Sequence, residues 1–169
     1  MNSYTSFTRF IDTPIGKVLL ESDGNSLTGL YFPAHLTQRS RYQARPQMRV
    51  PESCKALFEQ AQIQIEEYFR GERSSFDIAI SAQGTEFQKK VWSELSKIPF
   101  GATISYKELA NRVGNPKAAR AVGMANSKNP ISLIVPCHRV IGENGALTGY
   151  AGGLPSKEYL LRLEGAKNN

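Results

Sequence analysis

The sequence predicts an α+β protein in which an antiparallel sheet with one helix precedes a mainly helical, winged helix-turn-helix-like unit. Three observations predict it. Short β-type runs separated by turn residues occupy residues 4–32, helical spacing of apolar residues takes over at 53–69 and again from residue 85, and the charge divides unevenly between the halves.

The β-type runs are residues 4–11, 17–21 and 27–32, separated by Thr13-Pro14-Ile15-Gly16 and by Asp23-Gly24-Asn25. Turn residues between β-rich segments predict a meander. Residues 33–51 are polar and basic, with Arg39, Arg41, Arg45 and Arg49 at near-even spacing, and read as an irregular connection. Leu57, Phe58, Ala61, Ile65, Tyr68 and Phe69 then share one helical face that should pack on the sheet. Gly71 stops that helix, and Phe76, Ile78 and Ile80 alternate as a further strand. Residues 81–84 form the junction between a support domain, 1–82, and a second domain, 83–169.

In the second domain Thr85 and Gln88 fit a capping box ahead of the apolar stripe Phe87, Val91, Trp92 and Leu95. Ser105 and Glu108 repeat the pattern before a short helix, 106–113, which Gly114 closes. Asn115 can cap the next helix with Pro116 at its first position, giving a helix over 116–127 rich in Ala118, Ala119, Ala121, Gly123 and Ala125. Two short helices around a glycine turn match a helix-turn-helix. The second helix has few side chains long enough to read base edges, so it suits sequence-independent DNA binding, although small residues also permit tight helix packing. Asn144-Gly145 favours a type I′ turn and a small wing. Residues 149–153 should be a loop, and residues 157–164 a last helix ended by Gly165.

Composition excludes several classes. The 169 residues contain no apolar run near the ~20 needed to span a membrane, and the start lacks the features of a secretory signal, so a cytoplasmic protein is expected. Cys54 and Cys137 are too few for a disulfide framework, and with only His35 and His138 a zinc site is not expected. Residues 1–82 hold nine Lys/Arg against nine Asp/Glu, whereas residues 83–169 hold twelve against six. All of the +6 excess lies in the second half, as on a surface that attracts phosphate backbones or one that is merely soluble.

Residues 131–140 read as a buried strand-like run that ends in Pro136-Cys137-His138-Arg139. A thiol followed by an imidazole and a guanidinium suits thiolate formation, because positive charge and hydrogen bonding lower a thiol pKa. As a bare dipeptide, Cys137-His138 is more often an inert buried cysteine beside a satisfied loop histidine.

The wider pattern is more specific. Asn129-Pro130, Ile134-Val135-Pro136-Cys137-His138-Arg139-Val140, Gly149-Tyr150-Ala151-Gly152-Gly153-Leu154 and Lys157-Glu158 resemble the signature of the O6-alkylguanine-DNA alkyltransferases. Phe87-Gln88-Lys89-Lys90-Val91-Trp92, Ile104-Ser105-Tyr106 and the segment from Gly114 through Arg120 to Gly123 resemble the same family. The resemblance implies a ribonuclease H-like first domain and direct-reversal repair of O6-alkylguanine, and of O4-alkylthymine, in duplex DNA entered from the minor groove. It makes Cys137 the single-use alkyl acceptor, His138 the base acting through a water, and Glu164 the residue that orients His138. Tyr106 would help rotate the nucleotide and favour loss of the base, and Arg120 would fill the space that the base vacates. Asn129 would hold the turn of Cys137. Lys117, Ala118, Ala119, Ala121 and Gly123 would face DNA, and Val140, Tyr150, Ala151, Gly152 and Lys157 would line the substrate pocket. No cofactor and a monomeric state are implied.

Some positions depart from the family pattern. Ala151 stands where some relatives have Ser, and Tyr159 where Trp is frequent. His35 and Cys54 cannot reproduce the N-terminal zinc site that some members carry. Cys137 itself is absent from the related alkyltransferase-like proteins, which only bind lesions. Two other readings compete. A papain-like thiol hydrolase would need a distant histidine, for which only His35 is available, and a helix-turn-helix regulator would need base-reading side chains in 116–127.

Overall fold

A computed structural model of the chain describes residues 6–37 and 50–166. Strands β1 (Phe7–Thr13), β2 (Gly16–Ser22) and β3 (Leu27–Tyr31) form an antiparallel sheet in that order, with a register shift at Glu21/Ser22. The expected meander is therefore present. Residue 4, placed in the first strand by sequence, and Arg39, Arg41, Arg45 and Arg49 lie outside the described residues. The connection after β3 is not wholly irregular, because α1 (Pro33–Thr37) opens it, with Pro33 at a first position that needs no N–H partner.

Helix α2 (Glu52–Phe69) lays Leu57, Phe58, Ala61 and Ile65 into one core with Val18, Leu20 and Leu30 of the sheet. Each of these side chains larger than Ala61 contributes roughly 1.5–3 kcal/mol on burial. The strand expected at 76–80 is corrected. Residues 76–79 form no ladder, and only Ile80 bridges to Leu27, through Leu27 N–H to the Ala79 carbonyl and Ser81 N–H to the Leu27 carbonyl, both at 2.8 Å. Gln64 holds Asp77 instead, accepting from its N–H and donating to its carbonyl, so side-chain bonds replace a ladder.

Helix α3 (Glu86–Leu95) starts with the expected capping box: Gln88 N–H donates to Thr85 Oγ1 at 3.2 Å, and Thr85 N–H to Gln88 Oε1 at 3.0 Å. Strand β4 (Ile104–Ser105) leads into α4 (Tyr106–Arg112), where Ser105 Oγ accepts from Glu108 N–H while the Glu108 carboxylate takes Arg112. Gly114 (φ 81°) turns the chain toward α5 (Ala119–Ser127). That helix begins three residues later than expected. Residues 115–118 close a turn from Ala118 N–H to the Asn115 carbonyl, so Asn115 and Pro116 precede the helix rather than cap and open it. Helix α5 packs on α3 and α4, fixed by Trp92 Nε1 donating to the Ala125 carbonyl at 2.8 Å.

Strand β5 (Val140–Ile141) pairs in parallel with β4, and no strand follows the turn at 142–146. That turn is not type I′, because Gly145 (φ 79°) has a positive φ and Asn144 does not. Gly145 N–H bonds the Gly142 carbonyl and Gly142 N–H the Ala146 carbonyl, each at 2.9 Å. The last helix, α6 (Leu154–Leu163), starts earlier than its apolar residues indicated, with Pro155 in its first turn, and Gly165 (φ 65°) ends it. The two halves share one core. Leu30 N–H bonds the Pro130 carbonyl at 2.9 Å, and Leu30 bridges in parallel to Ile131.

Candidate active site

The segment 131–140 is not the strand expected from its apolar run. Ile131 and Ser132 form isolated bridges, to Leu30 and Val135 respectively, around a tight turn, and a 3-10 turn, Cys137–Arg139, follows. Leu133 is at φ 73°, a left-handed conformation that costs a leucine roughly 1–2 kcal/mol. Asn129 holds the turn from inside, its Nδ2 donating to the Val135 carbonyl at 2.8 Å and its Oδ1 accepting from Ile131 N–H at 3.0 Å. Asn126, on α5, reaches the Cys137 carbonyl at 3.4 Å. Tight turning rather than pleating thus delivers Cys137 to the core.

Cys137 is only 3 % exposed, with its Sγ 3.9 Å from Ser132 Oγ. Burial pushes the thiol up, against the opposing pull of Asn129, Ser132 and the Lys157 ammonium. Two sequence expectations are corrected here. The free protein holds a thiol of raised rather than lowered pKa, and the charge that favours its thiolate comes from Lys157 instead of Arg139. Arg139 points the other way, donating from Nε and Nη2 to the two oxygens of Glu164, both at 2.9 Å, and from Nη1 to the Ile98 carbonyl at 2.6 Å.

His138 is fully buried, and its Nε2 lies 2.7 Å from Glu164 Oε1. Burial lowers the imidazole pKa, Arg139 and Lys157 add to that, and Glu164 opposes them without prevailing. A neutral ring facing a carboxylate must carry its hydrogen on Nε2, which leaves the lone pair on Nδ1. That Nδ1 has no hydrogen-bond partner among the described residues. The ring can therefore accept a proton on the side away from Glu164.

Glu164 also accepts from Tyr68 Oη at 2.6 Å and from Gly101 N–H at 3.2 Å. Its burial favours the neutral acid, but the hydrogen bonds from His138 and Arg139 outweigh that and hold the carboxyl well below the usual range. Gly101 is at φ 77°, and a Cβ there would lie 2.9 Å from the Glu164 main-chain oxygen, so only glycine fits.

Lys157 is fully buried on α6 and donates to the carbonyls of Val140 at 2.6 Å and Thr148 at 3.1 Å. Burial pushes its ammonium down to about 8. Tyr150 is buried against Phe32, and its hydroxyl is held up by burial and the neighbouring Cys137 sulfur. Gly152 lets the loop close there, since a Cβ would lie 2.6 Å from the Phe32 ring, while Ala151 is partly exposed beside it.

Tyr106 stands half-buried at the start of α4, its hydroxyl donating to the Thr148 carbonyl at 3.1 Å. Lys117, Arg120 and Ala121 are exposed, whereas Ala118, Ala119 and Gly123 are partly covered. Met124, which the sequence did not single out, is 67 % exposed on the same helix. Ser132, Asn126 and Tyr68 were also missed. His35 is occupied in α1, its Nδ1 accepting from Phe32 N–H at 3.0 Å. Among the described residues no cluster of three or more His, Cys, Asp or Glu could hold a metal, and no helix is long and apolar enough to cross a membrane.

The model of the 6-O-methylguanine DNA methyltransferase ribonuclease-like domain matches residues 7–82, and that of the 6-O-methylguanine DNA methyltransferase DNA-binding domain matches residues 86–166. The chain belongs to the methylated-DNA–protein-cysteine methyltransferase family. A relative of that name from Methanosarcina acetivorans is 49 % identical over 92 % of this chain and 96 % of its own length. One from Mycobacterium tuberculosis is 46 % identical over 92 % and 90 %. Among solved structures, the M. tuberculosis O6-methylguanine methyltransferase superposes with a TM-score of 0.79 at 43 % identity, covering 95 % of this chain and 93 % of that one. The M. tuberculosis OGT complex with DNA gives 0.79 at 45 %, covering 94 % and 92 %. The α+β architecture of this methyltransferase, with a small N-terminal antiparallel sheet followed by a helical DNA-binding unit, matches theirs.

Proposed function

We propose that this methyltransferase repairs O6-alkylguanine, and O4-alkylthymine, by moving the alkyl group irreversibly onto Cys137, one group per molecule and without a cofactor. The observation that carries the reading is the buried pair His138 and Glu164, in which a neutral imidazole keeps an unpartnered Nδ1 and directly follows the buried Cys137 in the chain. The Cys137 proton passes to His138, by way of a water, and Glu164 steadies the imidazolium that results. Sulfur then attacks the alkyl carbon. A C–S bond forms as the C–O6 bond breaks, and the electron pair left on guanine is stabilised by a hydrogen bond from the Tyr106 hydroxyl, which turns to the base from the Thr148 carbonyl. Because a thioether is not hydrolysed, the thiol is not regenerated.

The target atom is stacked inside the duplex, so the nucleotide must rotate out of it. Exposed Arg120, flanked by the small residues of α5, fits the role of filling the gap from the minor groove, with Lys117 at the adjoining phosphates. Tyr150, Val140, Ala151, Gly152 and Lys157 then form the pocket for the extruded base. In this reading residues 1–82 support and residues 83–169 carry the chemistry, in a monomer acting in the cytoplasm.

Intact mass after incubation with a duplex containing one O6-methylguanine tests the proposal. A stoichiometric gain of about 14 Da on Cys137, absent in Cys137→Ala, is the expected result. Unchanged mass with the lesion intact would leave a lesion-binding protein and refute the chemistry.

A further inference from the structure

Glu164 is served by more donors than a carboxylate needs. Oε1 accepts from Tyr68 Oη at 2.6 Å, faces His138 Nε2 at 2.7 Å and accepts from Arg139 Nη2 at 2.9 Å, while Oε2 accepts from Arg139 Nε at 2.9 Å and Gly101 N–H at 3.2 Å. Arg139 alone balances the charge with two parallel bonds. The phenol is therefore surplus to neutralisation, and it comes from the other half of the chain, 96 residues away. Its ring is fully buried and set against Phe69 and Phe76, each at 5.5 Å, and Phe100 at 6.0 Å. Packing of this kind needs only a phenylalanine; the hydroxyl adds a bond to the very oxygen that faces His138.

We infer that Tyr68 is a positioning residue of the alkyl-transfer site, its hydroxyl sharing Oε1 of Glu164 so that the carboxylate aims His138 without drawing a proton onto it in the resting protein. The inference rests on the alkyl-transfer reading. An imidazole already protonated could not take the thiol proton. The groups facing His138 are Glu164, which favours the protonated ring, and Arg139 and Lys157, which disfavour it. Tyr68 acts on the one member that pulls the other way. It would thus give the N-terminal half a part in the chemistry.

The test is Tyr68→Phe, which keeps the ring packing and removes only the oxygen, beside Tyr159→Phe as a variant outside the site. The chain has only two histidines, so the His138 imidazole can be titrated by NMR in the intact protein. The expected result is a His138 midpoint at higher pH in Tyr68→Phe. Alkyl transfer at neutral pH should slow by about threefold or more and recover on raising the pH, with DNA affinity unchanged. An unmoved midpoint, or a rate loss that higher pH does not restore, would overturn the inference. Should Tyr68→Phe not fold, the wild-type hydroxyl proton decides: downfield and protected from exchange supports the role, and rapid exchange refutes it. The titration needs no lesion, and a wild type that gains no methyl mass refutes the alkyl-transfer reading separately.

Discussion

Nε2 of His138 lies 2.7 Å from Oε1 of Glu164, and neither side chain is accessible to solvent. Replacing Glu164 by Gln keeps the shape but removes the charge that balances Arg139. Breaking a buried ionic group in this way costs about 3–5 kcal/mol. Glu164→Gln should lower the urea midpoint accordingly. It should also slow alkyl transfer by roughly 10²-fold or more, because the imidazolium loses its counter-charge.

Acid should lower the stability of the protein in two pH windows. The folded His138 resists protonation, so below about pH 6.5 the unfolded chain takes up a proton that the folded one refuses, and stability falls. Glu164, despite its burial, is held ionised by His138 and Arg139, so its contribution is complete above the ordinary carboxylate range. That contribution is lost as the pH drops below about 4.3 toward the folded value. Urea titrations across pH should show both slopes, and Glu164→Gln should make the lower one shallower.

Lys157→Met would strip a donor from the buried carbonyls of Val140 and Thr148. An unsatisfied buried acceptor costs about 1–3 kcal/mol, so a lower thermal midpoint is expected. In the wild type the stability should rise with pH between about 8, the folded value, and the ordinary lysine value near 10.4, since only the unfolded chain then keeps the proton. Thermal scans of the variant should show no such rise.

Arg120 is exposed, so Arg120→Ala should leave stability within about 0.5 kcal/mol of wild type. If it fills the vacated stack, repair of a lesion in duplex DNA should slow by on the order of tenfold or more. Reaction with the free O6-methylguanine base should keep its rate. Single-turnover assays on the two substrates would separate these effects, and equal losses on both would refute the role.

Much of the architecture was legible because its signals are local. Thr85 with Gln88, and the glycines at 71, 114 and 165, mark helix ends by chemistry that acts within a few residues. The apolar run at 131–135 misled, since buried turns and buried strands are equally apolar, and only Asn129 bonding the Val135 carbonyl shows why this one turns. Likewise the raised pKa of Cys137 could not be read from neighbouring charges, because burial set its sign and Arg139 turned toward Glu164. Tyr68 was visible as a helix-face residue only, its partner lying in the other half.

A reagent that can be spent once has to survive until it is needed. Only the thiolate of a cysteine is a strong nucleophile, and Cys137 is kept protonated and almost sealed from solvent in the free protein. In the proposed role, peroxides and small electrophiles would meet a dormant sulfur, and the same closure would preserve the acceptor until it is used.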